Sequence, residues 1–109
     1  QWLGGRRNGR GRCRYTNGDV FAGDWRDGLR HGDGCLRTVR GESYTGKWSS
    51  DQRHGHGKQV YANRDVYIGQ WHSDQRGGVG ELTCFGGAKY TGQWHLHEMH
   101  GQGEMVYKN

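Results

Sequence analysis

The sequence predicts an all-β protein: an elongated single-layer twisted antiparallel sheet of repeated β-hairpins. Three observations lead there. The five tryptophans, Trp2, Trp25, Trp48, Trp71 and Trp94, recur at a strict interval of 23 residues, and a fixed period of about 20 to 50 residues marks a repeat architecture. Around each one, aromatic and β-branched residues alternate with glycine or polar ones, a period of two that belongs to strands. The chain has 22 glycines and no proline, so every backbone N–H is available to a ladder.

Each unit is assembled from the same parts. An aromatic stands four residues before Trp (Phe21, Tyr44, Tyr67, Tyr90) and a glycine two before it (Gly23, Gly46, Gly69, Gly92). Two more glycines follow at seven and nine residues: Gly9 and Gly11, Gly32 and Gly34, Gly55 and Gly57, Gly78 and Gly80, Gly101 and Gly103. The units run 1–20 (partial), 21–43, 44–66, 67–89 and 90–109. The first strand of a unit is aromatic-x-Gly-x-Trp, as in YTGKW (44–48). The second starts at Gly-x-Gly, as in GHGKQVY (55–61). Between them the six residues after Trp, such as RDGLRH (26–31), predict a longer loop. From one unit to the next, TNGD (16–19) predicts a three-residue loop, a type I turn closed by a glycine bulge. Gly18, Gly41 and Gly87 fill its positive-φ slot, where a side chain is costly. Arg64 fills it at the third junction, which should be the most strained or the most altered. Connections this short make sequence neighbours antiparallel.

That turn sets a register. Cys13 falls opposite Phe21, Gly11 opposite Gly23 and Gly9 opposite Trp25; by the same rule Trp25 falls opposite Gly32 and Phe21 opposite Leu36. One face then carries three rows: Trp alternating with Gly, glycine throughout, and aromatic alternating with Cys13, Leu36, Gln59, Leu82 and Met105. The other face is mainly Arg, Lys, Asp, Thr and Gln. The glycines make room for the rings beside them. Two strands per unit give a rod of about 50 Å, stabilised by contacts between neighbouring units.

Bulk composition alone would suggest disorder: hydrophobic residues are 30%, mean hydropathy is −1.15 and net charge is +5. The regular placement of the rings outweighs it, although a thick two-layer core is excluded. No apolar run approaches a membrane span and no signal-peptide core is present. The chain opens at Gln1 inside a unit, so it reads as a piece of a longer array. Cys13, Cys35 and Cys84 sit at three unrelated repeat positions, neither a disulfide framework nor a metal-ligand spacing, which fits a reducing, cytoplasmic setting.

YTGKWSSDQRHGHG (44–57), FAGDWRDGLRHGDG (21–34) and YTGQWHLHEMHGQG (90–103) resemble the MORN repeat, whose pattern is Tyr-x-Gly-x-Trp, a short loop, then His-Gly-x-Gly. The resemblance covers essentially the whole chain. Departures are Gly77 and Asn8 at the histidine position and Arg64 at the turn glycine. The resemblance implies an extended sheet of hairpins. It also implies a place in cytoplasmic scaffolding, cytoskeletal, ciliary or flagellar, or membrane-contact proteins, where such repeats accompany enzymes without being the catalytic part.

Three candidate surfaces follow. The rings Phe21, Trp25, Tyr44, Trp48, Tyr67, Trp71, Tyr90 and Trp94 form an aromatic face. It either presents a trough over the glycine row to a protein partner, such as a helix or a second copy of the chain, or is closed by its own rings. Arg7, Arg30, Arg53 and Arg76 recur five residues after Trp, predicting a basic ridge for an anionic phospholipid surface or an acidic protein. Net charge falls from +3 over residues 1–24 to −1 over residues 94–109. Nucleic acid fits less well, since the aromatics are committed to the sheet. His95, His97 and His100 are a weak metal candidate, short of a fourth ligand; the alternative is loop histidines. No cofactor motif is present, for the Gly-x-Gly is not followed by a phosphate-binding helix. No arrangement suggests catalysis, and a non-catalytic scaffold is the expectation.

Overall fold

The computed structural model describes residues 2–3 and 6–107, with side chains from residue 8 onward. Two short strands, β1 (Trp2–Leu3) and β2 (Arg6–Arg7), pair with each other. The main sheet follows: β3 (Gly9–Arg14), β4 (Val20–Arg26), β5 (Leu29–Arg37), β6 (Ser43–Ser49), β7 (Gln52–Val60), β8 (Val66–His72), β9 (Gln75–Thr83), β10 (Lys89–His95) and β11 (Glu98–Val106). These nine strands lie in strict sequence order, each antiparallel to the next. The molecule measures 54 × 26 × 16 Å, a rod one layer thick. No helix among the described residues is long and apolar enough to cross a membrane.

The junctions between units are the predicted ones. Gly18 N–H donates to Tyr15 C=O (2.9 Å) and Tyr15 N–H to Asp19 C=O (2.8 Å), closing a type I turn with its glycine bulge. The same pattern recurs at Gly41, Arg64 and Gly87. Arg64 does hold a positive φ (75°), and its guanidinium lies over the Phe85 ring at 5.1 Å. That contact offsets part of the backbone cost, about 1–3 kcal/mol for a side chain in this region.

Within the units two expectations fail. The loop after Trp is a two-residue turn: Asp27-Gly28, Ser50-Asp51, Ser73-Asp74 and Leu96-His97 all have positive φ at both positions, the type I′ geometry that matches strand twist. Strands therefore continue through residues expected to be loop. The second failure follows from the first. Phe21 does face Leu36 and Gly23 faces Gly34, but Trp25 faces Arg30 and not Gly32. Three residues of β5 answer one of β4, and the same shift recurs at Gly46/Trp48, Gly69/Trp71 and Gly92/Trp94. Gly32 (φ 67°) sits in this bulge and pairs on its other side with Trp48. The bulge leaves an extra backbone N–H, and the side chain before Trp receives it: Asp33 N–H donates to Asp24, Val79 N–H to Gln70 and Gln102 N–H to Gln93.

Candidate interaction surfaces

The eight aromatic rings are the core. All are buried, with at most 8% exposure. Phe21, Tyr44 and Tyr67 each stand edge-on between their own Trp and the Trp of the next unit, and Tyr90 edge-on to Trp94, giving an unbroken herringbone with centroids 5.1–5.4 Å apart. Such contacts contribute about 0.5–1.5 kcal/mol each beyond burial.

The glycine rows make this possible. A Cβ at Gly57 would strike the tip of the Tyr44 ring, and Gly34, Gly80 and Gly103 lie likewise under Phe21, Tyr67 and Tyr90. Their partners Gly23, Gly46, Gly69 and Gly92 would each drive a Cβ into the facing glycine Cα. The bare strand also offers its carbonyls. Trp25 Nε1–H donates to Gly11 C=O, Trp48 to Gly34, Trp71 to Gly57 and Trp94 to Gly80. The Tyr44, Tyr67 and Tyr90 hydroxyls donate to the carbonyls of Lys47, Gln70 and Gln93. Burial pushes Tyr44 and Tyr67 up to about 12. The trough is thus closed by the protein's own rings, and a partner-binding aromatic face made of these eight residues is corrected to an internal core. Gly55, Gly78 and Gly101 are bulge glycines like Gly32 and point to the polar face, towards Lys47, Gln70 and Gln93.

The basic ridge is also corrected. Arg30, Arg53 and Arg76 lie within strands, folded onto the Trp of the next unit, with guanidinium carbons 4.6, 4.4 and 4.4 Å from the ring centroids of Trp48, Trp71 and Trp94. Arg30 Nε donates to Asp51 Oδ1 (2.6 Å) and its Nη2 to Asp51 C=O (3.0 Å). Arg53 repeats both bonds to Asp74. Each arginine therefore clamps the hairpin turn of the following unit. Arg7 has only its backbone in the described structure, so its side chain lies outside the account. The exposed arginines are instead Arg10, Arg12, Arg14, Arg26, Arg37 and Arg40, towards the basic end, and Arg64 farther along the rod.

The third clamp differs. His97 stands where Asp51 and Asp74 stand, accepting from Arg76 Nη2 through its carbonyl (2.7 Å). Arg76 Nε is buried without a partner. Burial, then Arg76 and Arg53, lower the His97 pKa. His97 is thereby engaged apart from His95 and His100, whose rings lie 5.2 Å apart and tilted by 44°. No group of three or more His, Cys, Asp or Glu among the described residues is arranged to hold a metal ion.

The clamp was the feature sequence reading missed. Its signal was present: Asp three residues after Trp and Arg five after the preceding Trp, as Arg30/Asp51 and Arg53/Asp74. A herringbone core locked by arginine clamps, one unit to the next, defines a repeat scaffold with no separate hydrophobic interior. The MORN repeat profile matches residues 1–20, 21–42, 44–66, 67–89 and 90–109. The chain belongs to the MORN repeat family, whose arrays are associated with scaffolds for protein or membrane-lipid interaction. No curated protein matches it significantly.

Proposed function

We propose that this array is a non-catalytic scaffold that binds other proteins, or a second copy of itself, in a cytoplasmic assembly of the cytoskeleton, the cilium or flagellum, or a membrane-proximal site. One observation carries the reading. The rod consumes the eight rings of its aromatic face in its own core and yet leaves other apolar side chains bare along both long edges. Val39 and Phe85 (each 66% exposed) crown the junctions between units, and Leu29, Leu96 and Met99 line the opposite edge. Phe and Met are among the side chains enriched at protein interfaces, and Phe85 and Met99 offer a partner such contacts on opposite edges.

A second reading, binding to anionic phospholipid, is favoured by the exposed arginines Arg12, Arg14, Arg26, Arg37 and Arg40. The two separate in one experiment. A protein cross-linked to the array in cell extract is purified and reassembled with it, using the native chain, a Val39→Ser/Phe85→Ser variant and a Leu96→Ser/Met99→Ser variant. In parallel the native chain is sedimented with phosphatidylserine vesicles across a salt series. Reassembly that one edge variant abolishes supports the scaffold. A chain that reassembles with no purified protein, yet sediments with vesicles until salt releases it, overturns that reading in favour of the membrane one.

A further inference from the structure

At the turn end of the polar face, the strands present a ladder of imidazoles with one rung missing. His54 (β7) and His72 (β8) have ring centroids 5.0 Å apart, tilted by 49°. His95 (β10) and His100 (β11) repeat the arrangement at 5.2 Å and 44°. Between the two pairs, on β9, stands Gly77, where the other units have histidine or, in the first, Asn8. The result is an open groove of about 440 Å³, walled by His72 on one side and His95 on the other.

The geometry of this gap follows from the sheet. His72 and His95 occupy the same repeat position two strand steps apart, which is about 10 Å. A ring midway would stand about 5 Å from each, the spacing the ladder already uses.

The neighbouring units also show what polar contact the missing side chain makes. Asn8 Oδ1 accepts from Asp27 N–H (3.1 Å), and His54 Nδ1 accepts from Ser73 N–H in a longer contact of 3.5 Å. Asp27 and Ser73 each stand two residues after Trp, and Leu96 is their equivalent. At Gly77 there is no side chain to accept from Leu96 N–H, and Leu96 borders the groove.

The slot therefore asks for two properties at once: a flat ring of imidazole size, and an in-plane acceptor nitrogen. A protonated imidazole lacks the acceptor. We propose that the Gly77 slot receives the neutral histidine side chain of a partner protein, completing the ladder across a protein–protein contact. This deepens the protein-binding reading and rests on it for the identity of the partner, but the slot can be tested without one.

The test is a nuclear magnetic resonance titration of the isotopically labelled chain at pH 7.5 with the capped tripeptide Gly-His-Gly. A single side-chain contact should saturate in the range of about 1–20 mM. Shifts are expected at Gly77, Leu96 and the rings of His72 and His95. They should vanish in Gly77→His, whose own imidazole fills the slot. That variant has room to fold, because a Cβ at Gly77 would meet only His72 Cβ, at 3.8 Å. Gly77→Asn, which copies the first unit's Asn8, is the second filled variant should the first misfold. Three results would each overturn the proposal: no saturable shift at the slot, an equal response to Gly-Leu-Gly, or an undiminished response in a folded filled variant. If the tripeptide binds as expected and no protein reassembles with the array, the slot stands and the scaffold reading falls separately.

Discussion

Replacing His97 by Asp should stabilise the array, because it completes the third arginine clamp. The first two clamps calibrate the effect. In each, a guanidinium with a side chain 17% or 25% exposed meets a carboxylate 44% exposed, through Nε–Oδ1 bonds of 2.6 and 3.0 Å. A hydrogen bond to a charged group contributes about 1.5–3 kcal/mol when well shielded. Half-exposed carboxylates are partly screened, so the expectation here is about 1 kcal/mol. Two further effects point the same way: Arg76 Nε gains a partner, and Asp tolerates the positive φ of 73° at this position. For a domain of this size 1 kcal/mol corresponds to an increase in Tm of about 4–8 °C.

The assay is thermal unfolding followed by circular dichroism, at pH 7.5 and pH 5.5, with His97→Asn as a control that offers an acceptor without charge. The pH dependence has a definite sign. The His97 pKa is lowered in the folded state by burial and by Arg76 and Arg53, so between the folded value and the unfolded one, near 6.5, the unfolded chain binds more protons. The stability this group contributes is fully present above about 6.5 and is lost as pH falls towards the folded pKa. His97→Asp should remove that part of the acid sensitivity. A Tm unchanged or lowered at pH 7.5, with the fold intact, would refute the clamp as a stabilising device.

The core and the remaining clamps give further expectations. Gly57→Ala and Gly80→Ala force the Tyr44 and Tyr67 rings out of place and should each destabilise by about 1–3 kcal/mol; Gly86→Ala, with open space around it, should stay within about 0.5 kcal/mol in the same denaturant titration. Arg53→Glu places a carboxylate beside Asp74 and removes the guanidinium from the Trp71 ring, so its thermal transition should collapse by about 3 kcal/mol or more; an unchanged transition would return Arg53 to the surface. Tyr44 and Tyr67, raised to about 12 by burial, keep the fold's stability intact below pH 10 and lose it progressively as pH rises from about 10 to 12. Tyrosinate absorbance should therefore show two residues ionising only as the sheet unfolds in alkali.

Strand order, inter-unit turns and two of the three rows of residues were legible because they depend on backbone rules of short range; the row of Trp alternating with Gly held only across the inter-unit pairs. A glycine in the positive-φ slot of a three-residue turn fixes the register of the hairpin that turn closes, and Cys13 did meet Phe21. The other hairpin was misread for a physical reason. Ser50, Asp51, Ser73, Asp74, Leu96 and His97 all adopt positive φ without glycine, which propensity argues against. The surrounding ladder and the arginine clamp hold them there. Once that turn shortens, the bulge follows, and the arginines that periodicity placed on an outer loop swing inward over Trp. Periodicity located Arg30, Arg53 and Arg76 and could not say which way they faced.

The repeat supplies its own controls, and this changes what a departure from the pattern means. Gln59 stands in a row where its counterparts are Leu36, Leu82 and Met105, and it is 6% exposed. A lone buried amide would be costly, but Gln59 Oε1 accepts from Arg53 Nη1 (3.1 Å) and its Nε2 donates to Val60 C=O (3.2 Å). The departure is absorbed locally, so it needs no ligand to explain it. Arg64 is absorbed in the same sense by Phe85. His97 is absorbed in part, leaving Arg76 Nε buried without a partner. Gly77 is not absorbed at all: no described residue fills the space, and Leu96 N–H lacks the acceptor that Asn8 and His54 provide elsewhere. Among the described residues Gly77 is thus a departure that is both unfilled and open to solvent, and there another molecule has room and reason to bind.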